Sequence, residues 1–149
     1  MRALFAALAL VLLSACASQA QRPPAAHQLG IYPARTASVD GWQAQTDRHS
    51  GVHLWLAPQA ALTEADVQQA DMILAPDGQP AIILTLGANG RAILASLTRS
   101  ELGQPLAFVV DGELRLAPII SEPVLDGRVA LTGFDSLAEA EALVRDWSR

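Results

Sequence analysis

The pair Asp111-Gly112 stands between two short runs typical of β-strands, and it constrains the fold more than any other feature of the chain. Residues 106–110 are apolar throughout, and residues 113–116 return as Glu-Leu-Arg-Leu. Asp-Gly tolerates the positive φ angles of the two-residue turns whose twist matches that of paired strands. The sequence therefore predicts a β-hairpin here, and with it a sheet that is largely antiparallel.

Three further runs have the pattern of strands. In residues 52–56 apolar side chains alternate with His53 and Trp55, which places the latter two on the opposite face. Residues 80–86 are rich in apolar and β-branched side chains, as in a strand buried on both faces. Residues 128–132 alternate again and end at a glycine. We predict a strand for each of these runs.

Three segments have helical signals. Thr63 is placed to cap a short helix over residues 62–70. A second helix follows the glycine-containing turn at residues 87–90. A third begins at Ser136, which is predicted to form a reciprocal capping box with Glu139. The mixture of strands and helices predicts an α+β fold, a small sandwich of a mostly antiparallel sheet with helices on one face.

The first sixteen residues have the features of an export signal. Arg2 precedes an apolar run over residues 3–13, which is too short for a bilayer that needs about 20 residues. The run ends in Leu-Ser-Ala-Cys16, which resembles the lipobox of bacterial lipoproteins, where a diacylglyceryl group is attached to the Cys thiol and the chain is cut before it. The resemblance implies a lipid on Cys16. An ordinary signal peptide that leaves Cys16 as a free thiol is the alternative.

These signals divide the chain into three parts. Residues 1–15 are predicted to be a lipoprotein signal peptide, residues 16–50 a lipidated N-terminus with a tether and an edge segment, and residues 51–149 the folded domain. Residues 17–30 are rich in Ala, Ser, Gln and Pro, which predicts a flexible tether. Between Leu29 and Trp42 the pattern leaves open a short strand or a segment that covers the domain edge.

Lipid on Cys16 would hold the protein on a membrane of the bacterial envelope, where it faces the periplasm. The residue after the cysteine is Ala17, not the Asp that retains lipoproteins in the inner membrane of enteric bacteria, and this favours the outer membrane. A formal charge of -5 argues against a nucleic-acid partner, because phosphate contact needs clustered cations. The single Cys excludes an internal disulfide framework and a zinc site with two or four thiolates.

The residues that could carry chemistry have simpler explanations. His49 and His53 are four residues apart, but Gly51 breaks any helix between them and the metal-ligand spacing loses its meaning. No serine stands in a Gly-x-Ser-x-Gly nucleophile elbow. The turn at residues 87–90 is too short for a phosphate loop. Of the acids Asp111, Glu113 and Glu122, the first is explained by its turn, and none demands a catalytic role. We therefore expect no catalytic, metal-binding or cofactor-binding residue.

Trp55 is a candidate partner contact, and a core position is the alternative.

The segment over residues 105–134 resembles the head subdomain of the first periplasmic domain of SecD, a subunit of the bacterial protein-export translocase. That family has a strand ending in Val-Asp-Gly, an Ala-Pro pair, an apolar step, a second Pro, and a strand ending in Gly before an aromatic residue. The corresponding residues here are Asp111, Gly112, Pro118, Pro123 and Gly133. Residues 62–67 and 81–99 resemble the upstream helix start and the strand, turn and helix of the family. The turn at residues 87–90 departs from the family's Pro-Glu-Gly.

The resemblance implies the α+β fold and a role in contacting polypeptides on the outer side of the membrane. The function we expect is that of a membrane-anchored envelope lipoprotein whose domain binds a protein segment or an envelope complex, with a role accessory to protein export. The alternative is a stand-alone structural or small-ligand module that reuses the fold, because fold does not fix function.

Overall fold

The computed structural model describes residues 24–148, and the predicted signal peptide and Cys16 lie outside this range. Within these residues the chain forms nine strands and two α-helices. The strands are β1 (Leu29–Arg35), β2 (Gln43–Thr46), β3 (His53–Leu56), β4 (Leu62–Thr63), β5 (Val67–Leu74), β6 (Pro80–Leu86), β7 (Leu106–Val110), β8 (Glu113–Leu116) and β9 (Arg128–Leu131), and the helices are α1 (Ala88–Ser100) and α2 (Leu137–Trp147).

The strands form two sheets, and every pairing in both is antiparallel. The larger sheet has the order β2-β3-β1-β7-β8, with β4 also paired to β1. The smaller sheet has the order β5-β6-β9. The predicted α+β class and the antiparallel sheet are confirmed, but the sandwich contains two sheets where the sequence indicated one. No helix within residues 24–148 has the length and apolarity needed to cross a bilayer.

The main core lies between the two sheets and the helices. Alternate residues of β1 and β7, among them Ile31 and Phe108, pack with Leu84 of β6 and with Leu94 and Leu143 of the two helices. A second, smaller cluster covers the opposite face of the larger sheet and contains Ala34, Leu54, Leu56, Ala107, Val109 and Leu114. Both faces of the larger sheet are therefore buried in part, and this explains why β7 is apolar at every position.

The prediction of a helix over residues 62–70 is wrong. Thr63 does act as an N-cap, but it caps a single 3-10 turn at Glu64–Asp66, and residues from Val67 onward form strand β5. A register shift between Val67 and Gln69 explains the misleading spacing. Because a β-bulge shifts the alternation of side chains by one residue, Val67 and Ala70 both face the core, although a regular strand would place them on opposite faces.

Part of the predicted tether and edge segment, residues 29–46, belongs to the folded domain. Of the two alternatives that the sequence leaves open after Leu29, the structure shows the strand. This strand, β1, is paired with β7 on one side and with β3 and β4 on the other, so it is the central strand of the larger sheet. β2 was not predicted. Gly30 and Pro33 interrupt the apolar pattern of β1, and the ring of Tyr32 lies over Gly30, where a Cβ would come within 2.4 Å of it.

The cap of α2 differs from the predicted reciprocal box. Ser136 Oγ accepts the backbone N–H of Glu139 at 3.2 Å, as expected. The Glu139 carboxylate, however, accepts the N–H of Asp135 at 2.8 Å and pairs with Arg115 at 2.7 Å, and it makes no bond to the Ser136 N–H. A charged partner from β8 thus competes successfully for the glutamate.

Candidate functional site

The turn of the predicted hairpin also holds the N-terminal segment of the domain. Asp111 has φ of 50° and Gly112 of 83°, as a two-residue turn with left-handed backbone requires. The Asp111 carboxylate accepts the N–H of Gln28 at 2.8 Å and lies 2.8 Å from Nδ1 of His27. Trp147 Nε1 donates to the carbonyl of His27 at 3.0 Å. These bonds fix the N-terminal segment against the domain in the region where the sequence predicted a flexible tether.

The same contacts set the charge state of Asp111. Partial burial acts to raise its pKa, but the His27 hydrogen bond, the Gln28 N–H and the nearby charges of His27 and Arg115 outweigh burial and hold the pKa of Asp111 below 3.8. A carboxylate with a lowered pKa in the folded state stabilises the fold above the pKa of the unfolded chain, and this stabilisation is lost as the pH falls through the folded-state pKa.

We expect Asp111→Asn to flatten the acid side of the stability profile. The amide keeps an acceptor for the Gln28 N–H and tolerates positive φ, but it cannot ionise. Urea midpoints measured from pH 6 to pH 3 should fall less steeply for the variant than for the wild type, with the difference concentrated below about pH 4. Parallel slopes for the two proteins would contradict the assigned role of the carboxylate.

Residues 117–120 extend the hairpin as an irregular edge beside β7. The N–H of Leu106 donates to the carbonyl of Pro118 at 2.9 Å, and the N–H of Ile120 donates to the carbonyl of Gln104 at 2.9 Å. These bonds bracket an isolated bridge between Pro105 and Ile119. The Ile120 side chain is buried in the core, while that of Ile119 is 57% exposed. The family-like Ala-Pro step therefore forms an outer wall of the sandwich.

Helix α1 holds the next stretch, which contains Pro123. The hydroxyl of Thr98, a fully buried residue, donates to the Leu94 carbonyl at 2.8 Å and accepts the N–H of Val124 at 2.9 Å. Arg91 Nε donates to the carbonyl of Leu125 at 2.9 Å. Two side chains of one helix thus fix the loop that joins Pro118 to β9.

An open groove of about 290 Å³ lies between these walls. One wall is formed by residues 118–122, and the other by residues 128–130 of β9. Leu106 and Phe108 of β7 reach it from the core, and Val124 closes part of it. The groove lies where an edge of the larger sheet and an edge of the smaller sheet face each other without a strand between them.

The chemistry of the groove suits binding. Its lining is mostly apolar, and the formally charged residues that line it among those described, Glu122 and Arg128, are opposite in sign. No group of three His, Cys, Asp or Glu side chains within residues 24–148 is arranged to hold a metal ion. The groove can accommodate apolar side chains, and it presents main-chain groups from both walls.

The other residues of the family-like motif support the fold away from the groove. Gly133 has φ of 84°, and a Cβ there would lie 3.0 Å from the carbonyl oxygen of Arg115. Arg115 pairs with Glu113 and Asp135 in addition to Glu139. Arg48, in the β2–β3 turn, pairs with the same Glu113 and Asp135. We call these five charged residues the Arg115 network. The network joins the β2–β3 turn and β8 to the start of α2.

The structure does not bring Trp55 to the groove. Trp55 lies half-buried on β3, paired with Ala44 and Arg35, and does not line the groove. Its role as a partner contact stays a prediction. His53 bonds Thr46 at 2.7 Å, and the backbone N–H of His49 donates to Asp47 at 2.8 Å. The acids considered for catalysis are separated, because Glu113 belongs to the Arg115 network and Glu122 lines the groove.

The sequence singles out only Pro118 and Glu122 among the residues that line the groove, and it does not predict the groove itself. Thr98 lies within residues 81–99, which resemble the family, but the sequence does not indicate that its buried hydroxyl anchors Val124. Ala130 was assigned to a strand, and nothing in the sequence indicated that this strand lies at a sheet edge. The one available signal was the shortness of the run at residues 128–132, which is typical of edge strands.

Comparison with known proteins gives one family. Residues 42–145 match the family model described as SecDF, P1 head subdomain. The protein translocase subunit SecD of Treponema pallidum is 30% identical over 120 residues, which cover 78% of this chain and 20% of that protein. SecDF of Brucella abortus is 40% identical over 80 residues, which cover 53% of this chain and 11% of that protein. The chain therefore spans about a fifth or less of the length of these relatives.

Solved structures share the fold. A structure described as that of a membrane component SecDF that enhances protein export superposes with a TM-score of 0.65 at 21% identity, covering 81% of this chain and 61% of that one. A SecDF crystal structure in the super-membrane-facing form gives a TM-score of 0.65 at 22% identity and covers 81% of this chain and 18% of that one.

Proposed function

The chain belongs to the family of SecDF P1 head subdomains, and from this membership we propose that it binds segments of other proteins at the groove between its two sheets, in a non-enzymatic role accessory to protein export. The observation that carries the proposal is the groove itself. It lies beside the Ala-Pro step of the family-like motif, is mostly apolar, and exposes Ile119 at its rim.

Physical chemistry supports a polypeptide as the ligand. An apolar groove open to solvent is unfavourable for an isolated domain, and its burial by a partner gains about 25 cal/mol for each Å² of apolar surface removed from water. The groove volume lies at the lower limit of small-molecule sites, which are typically about 300–1,000 Å³. A segment of chain lying along the open groove would fill it and continue beyond it.

The second part of the proposal concerns the location of the protein. Lipid on Cys16 would hold the domain at the periplasmic side of an envelope membrane, the outer membrane being favoured by Ala17. Residues 17–26 separate Cys16 from His27, and a chain extends by at most about 3.6 Å per residue, so the attachment at His27 would stay within about 40 Å of the membrane surface.

Replacing Cys16 by Ser tests the lipid anchor. The serine hydroxyl cannot form the thioether, so we expect the variant to lose all incorporation of labelled fatty acid and to leave the membrane fraction. Cells that express the wild-type protein at the same level provide the control. Labelling that persists in the variant would overturn the lipobox interpretation without affecting the groove.

Crosslinking in living cells tests the binding role. A photo-reactive residue at Ile119 should yield adducts with other proteins, because this side chain is exposed at the groove rim. Val52 is similarly exposed, at 48%, and does not line the groove, so the same probe there is the matched control. A third probe at Trp55 tests that predicted contact separately.

Two outcomes would contradict the proposal. Adducts that are equally abundant from Val52 and Ile119 would indicate nonspecific contact. A complete lack of protein adducts from Ile119, combined with saturable thermal stabilisation by an envelope metabolite, would favour the alternative of a small-ligand module.

A further inference from the structure

We propose that the polypeptide binds in the groove as an added β-strand, paired with the free edge of β9. This inference rests on the proposed function and specifies how the ligand is held. The two sheet edges that border the groove present main-chain donors and acceptors, and an extended peptide is the ligand class that matches them.

The free edge of β9 follows from the pairing pattern. The N–H of Leu86 donates to the carbonyl of Gly127 at 2.9 Å, so the main-chain groups of Gly127 point toward β6. Orientation alternates along an antiparallel strand, and therefore Val129 also points toward β6 while Arg128 and Ala130 point away. The N–H of Arg128 is accepted by Asp126 at 3.1 Å. Among residues 24–148, the Arg128 carbonyl and both main-chain groups of Ala130 have no partner.

The opposite edge of the same small sheet is covered at Ala70, and this contrast favours β9 as the binding edge. On β5, the main-chain groups of Ala70 point outward, and Ser148 at the end of α2 satisfies both. Its hydroxyl accepts the Ala70 N–H at 3.2 Å and donates to the Ala70 carbonyl at 2.7 Å. Exposed edges invite pairing with other chains, and proteins usually cover them. The β5 edge is thus covered at Ala70 by the end of α2, whereas the β9 edge borders the groove.

The second wall of the groove offers the same kind of contact. Pro118 and Ile120 use their main-chain groups to bond Leu106 and Gln104, so the N–H and the carbonyl of Ile119, between them, point away from β7. No partner for them is found within the described range, 24–148. An extended chain in the groove is therefore flanked by unpaired main-chain groups on both sides.

Charge and depth define the ligand further. Glu122 and Arg128 cancel, so the groove favours a segment without net charge. Successive side chains of a strand point to opposite sides, so every second residue of the ligand would point toward Leu106 and Phe108. The predicted ligand is thus an uncharged extended segment with an apolar residue at every second position.

Substitution of Ala130 tests the strand pairing. Ala130→Pro removes the outward N–H, at an edge position where proline is tolerated. Ala130→Thr keeps the N–H and is the matched control. The probe is a fluorescently labelled peptide of alternating Val and Thr, titrated against the full-length protein in detergent and followed by anisotropy. We expect Ala130→Pro to weaken binding about tenfold, as loss of one net hydrogen bond implies, and Ala130→Thr to leave it within about twofold.

Backbone methylation of the peptide gives the second measurement. Methyl groups placed in turn on each peptide nitrogen should impair binding most at every second position, because alternate N–H groups face β9 and the others face only the main chain of Ile119. The amide of Ala130 should also gain protection from hydrogen exchange when the peptide is added. Peptide binding to both Ala130 variants alike, with no alternation in the methylation series, would overturn strand pairing and leave the groove as a polypeptide site. Failure of the wild-type protein to bind any peptide would overturn both proposals.

Discussion

Replacement of Trp147 by Ala is expected to lower the free energy of unfolding by about 4 kcal/mol, because large-to-small changes of buried aromatic residues typically cost about 3–5 kcal/mol. Trp147 is only 2% exposed and packs in the main core at the end of α2. Its indole N–H also donates to the carbonyl of His27, so the variant loses an attachment of the N-terminal segment as well. Chemical denaturation measures the stability change.

The variant Trp147→Phe separates the two contributions. Phenylalanine keeps most of the apolar contact and lacks the indole N–H. We expect it to lower the free energy of unfolding by less than half as much as alanine does. Hydrogen exchange at Gln28, whose N–H donates to Asp111, reports on the segment directly. A phenylalanine variant as unstable as the alanine variant would mean that the hydrogen bond to His27, and not packing, dominates the contribution of Trp147.

Local signals in the sequence were sufficient for the elements whose geometry is set locally. The Asp111-Gly112 turn needs positive φ at both residues, and the pair predicts it directly. Ser136 begins α2 as predicted, because an N-cap depends on residues within one turn. The apolar run of β6 is readable for a similar reason, since a strand covered on both faces has no polar face to obscure its pattern.

Elements that depend on distant contacts were not predictable in the same way. β1 contains Gly30 and Pro33, and it is a strand because β7 and β3 pair with its two edges. β5 was mistaken for a helix because a bulge shifts its alternation, and the sequence carries no separate signal for the bulge. Apolar residues three positions apart suit one face of a helix and also one face of a bulged strand. Over such short spans, pairing with neighbouring strands therefore decides between the two structures.

The groove illustrates the same limit for function. Its walls come from residues 118–122 and 128–130, its depth from β7, and its support from Thr98 on α1. The resemblance identified Pro118 as part of a motif, but a motif does not show which sheet edges remain unpaired. Whether β9 ends the sheet or continues it is a property of strand order, and strand order appears only in the folded chain.

The second large effect on stability is expected from the Arg115 network. Arg115 is 10% exposed, and its guanidinium lies 2.7 Å from Glu139, 3.3 Å from Glu113 and 3.8 Å from Asp135. We expect Arg115→Met to lower the free energy of unfolding by about 3 kcal/mol, the low end for breaking a buried ion pair, because Glu113 and Asp135 are about half exposed and can be rehydrated.

Arg145→Met is the matched control, since Arg145 is 71% exposed and its pair with Glu141, at 4.0 Å, is worth less than about 0.5 kcal/mol. Denaturation of both variants at low and high salt measures the difference. The effect of Arg115→Met should persist in high salt, because burial shields the pair from counterions, whereas any effect at Arg145 should disappear. If both variants lost the same free energy of unfolding, the network would contribute no more to stability than a surface pair. A selective loss would show that charge at Arg115 holds β8 to the start of α2.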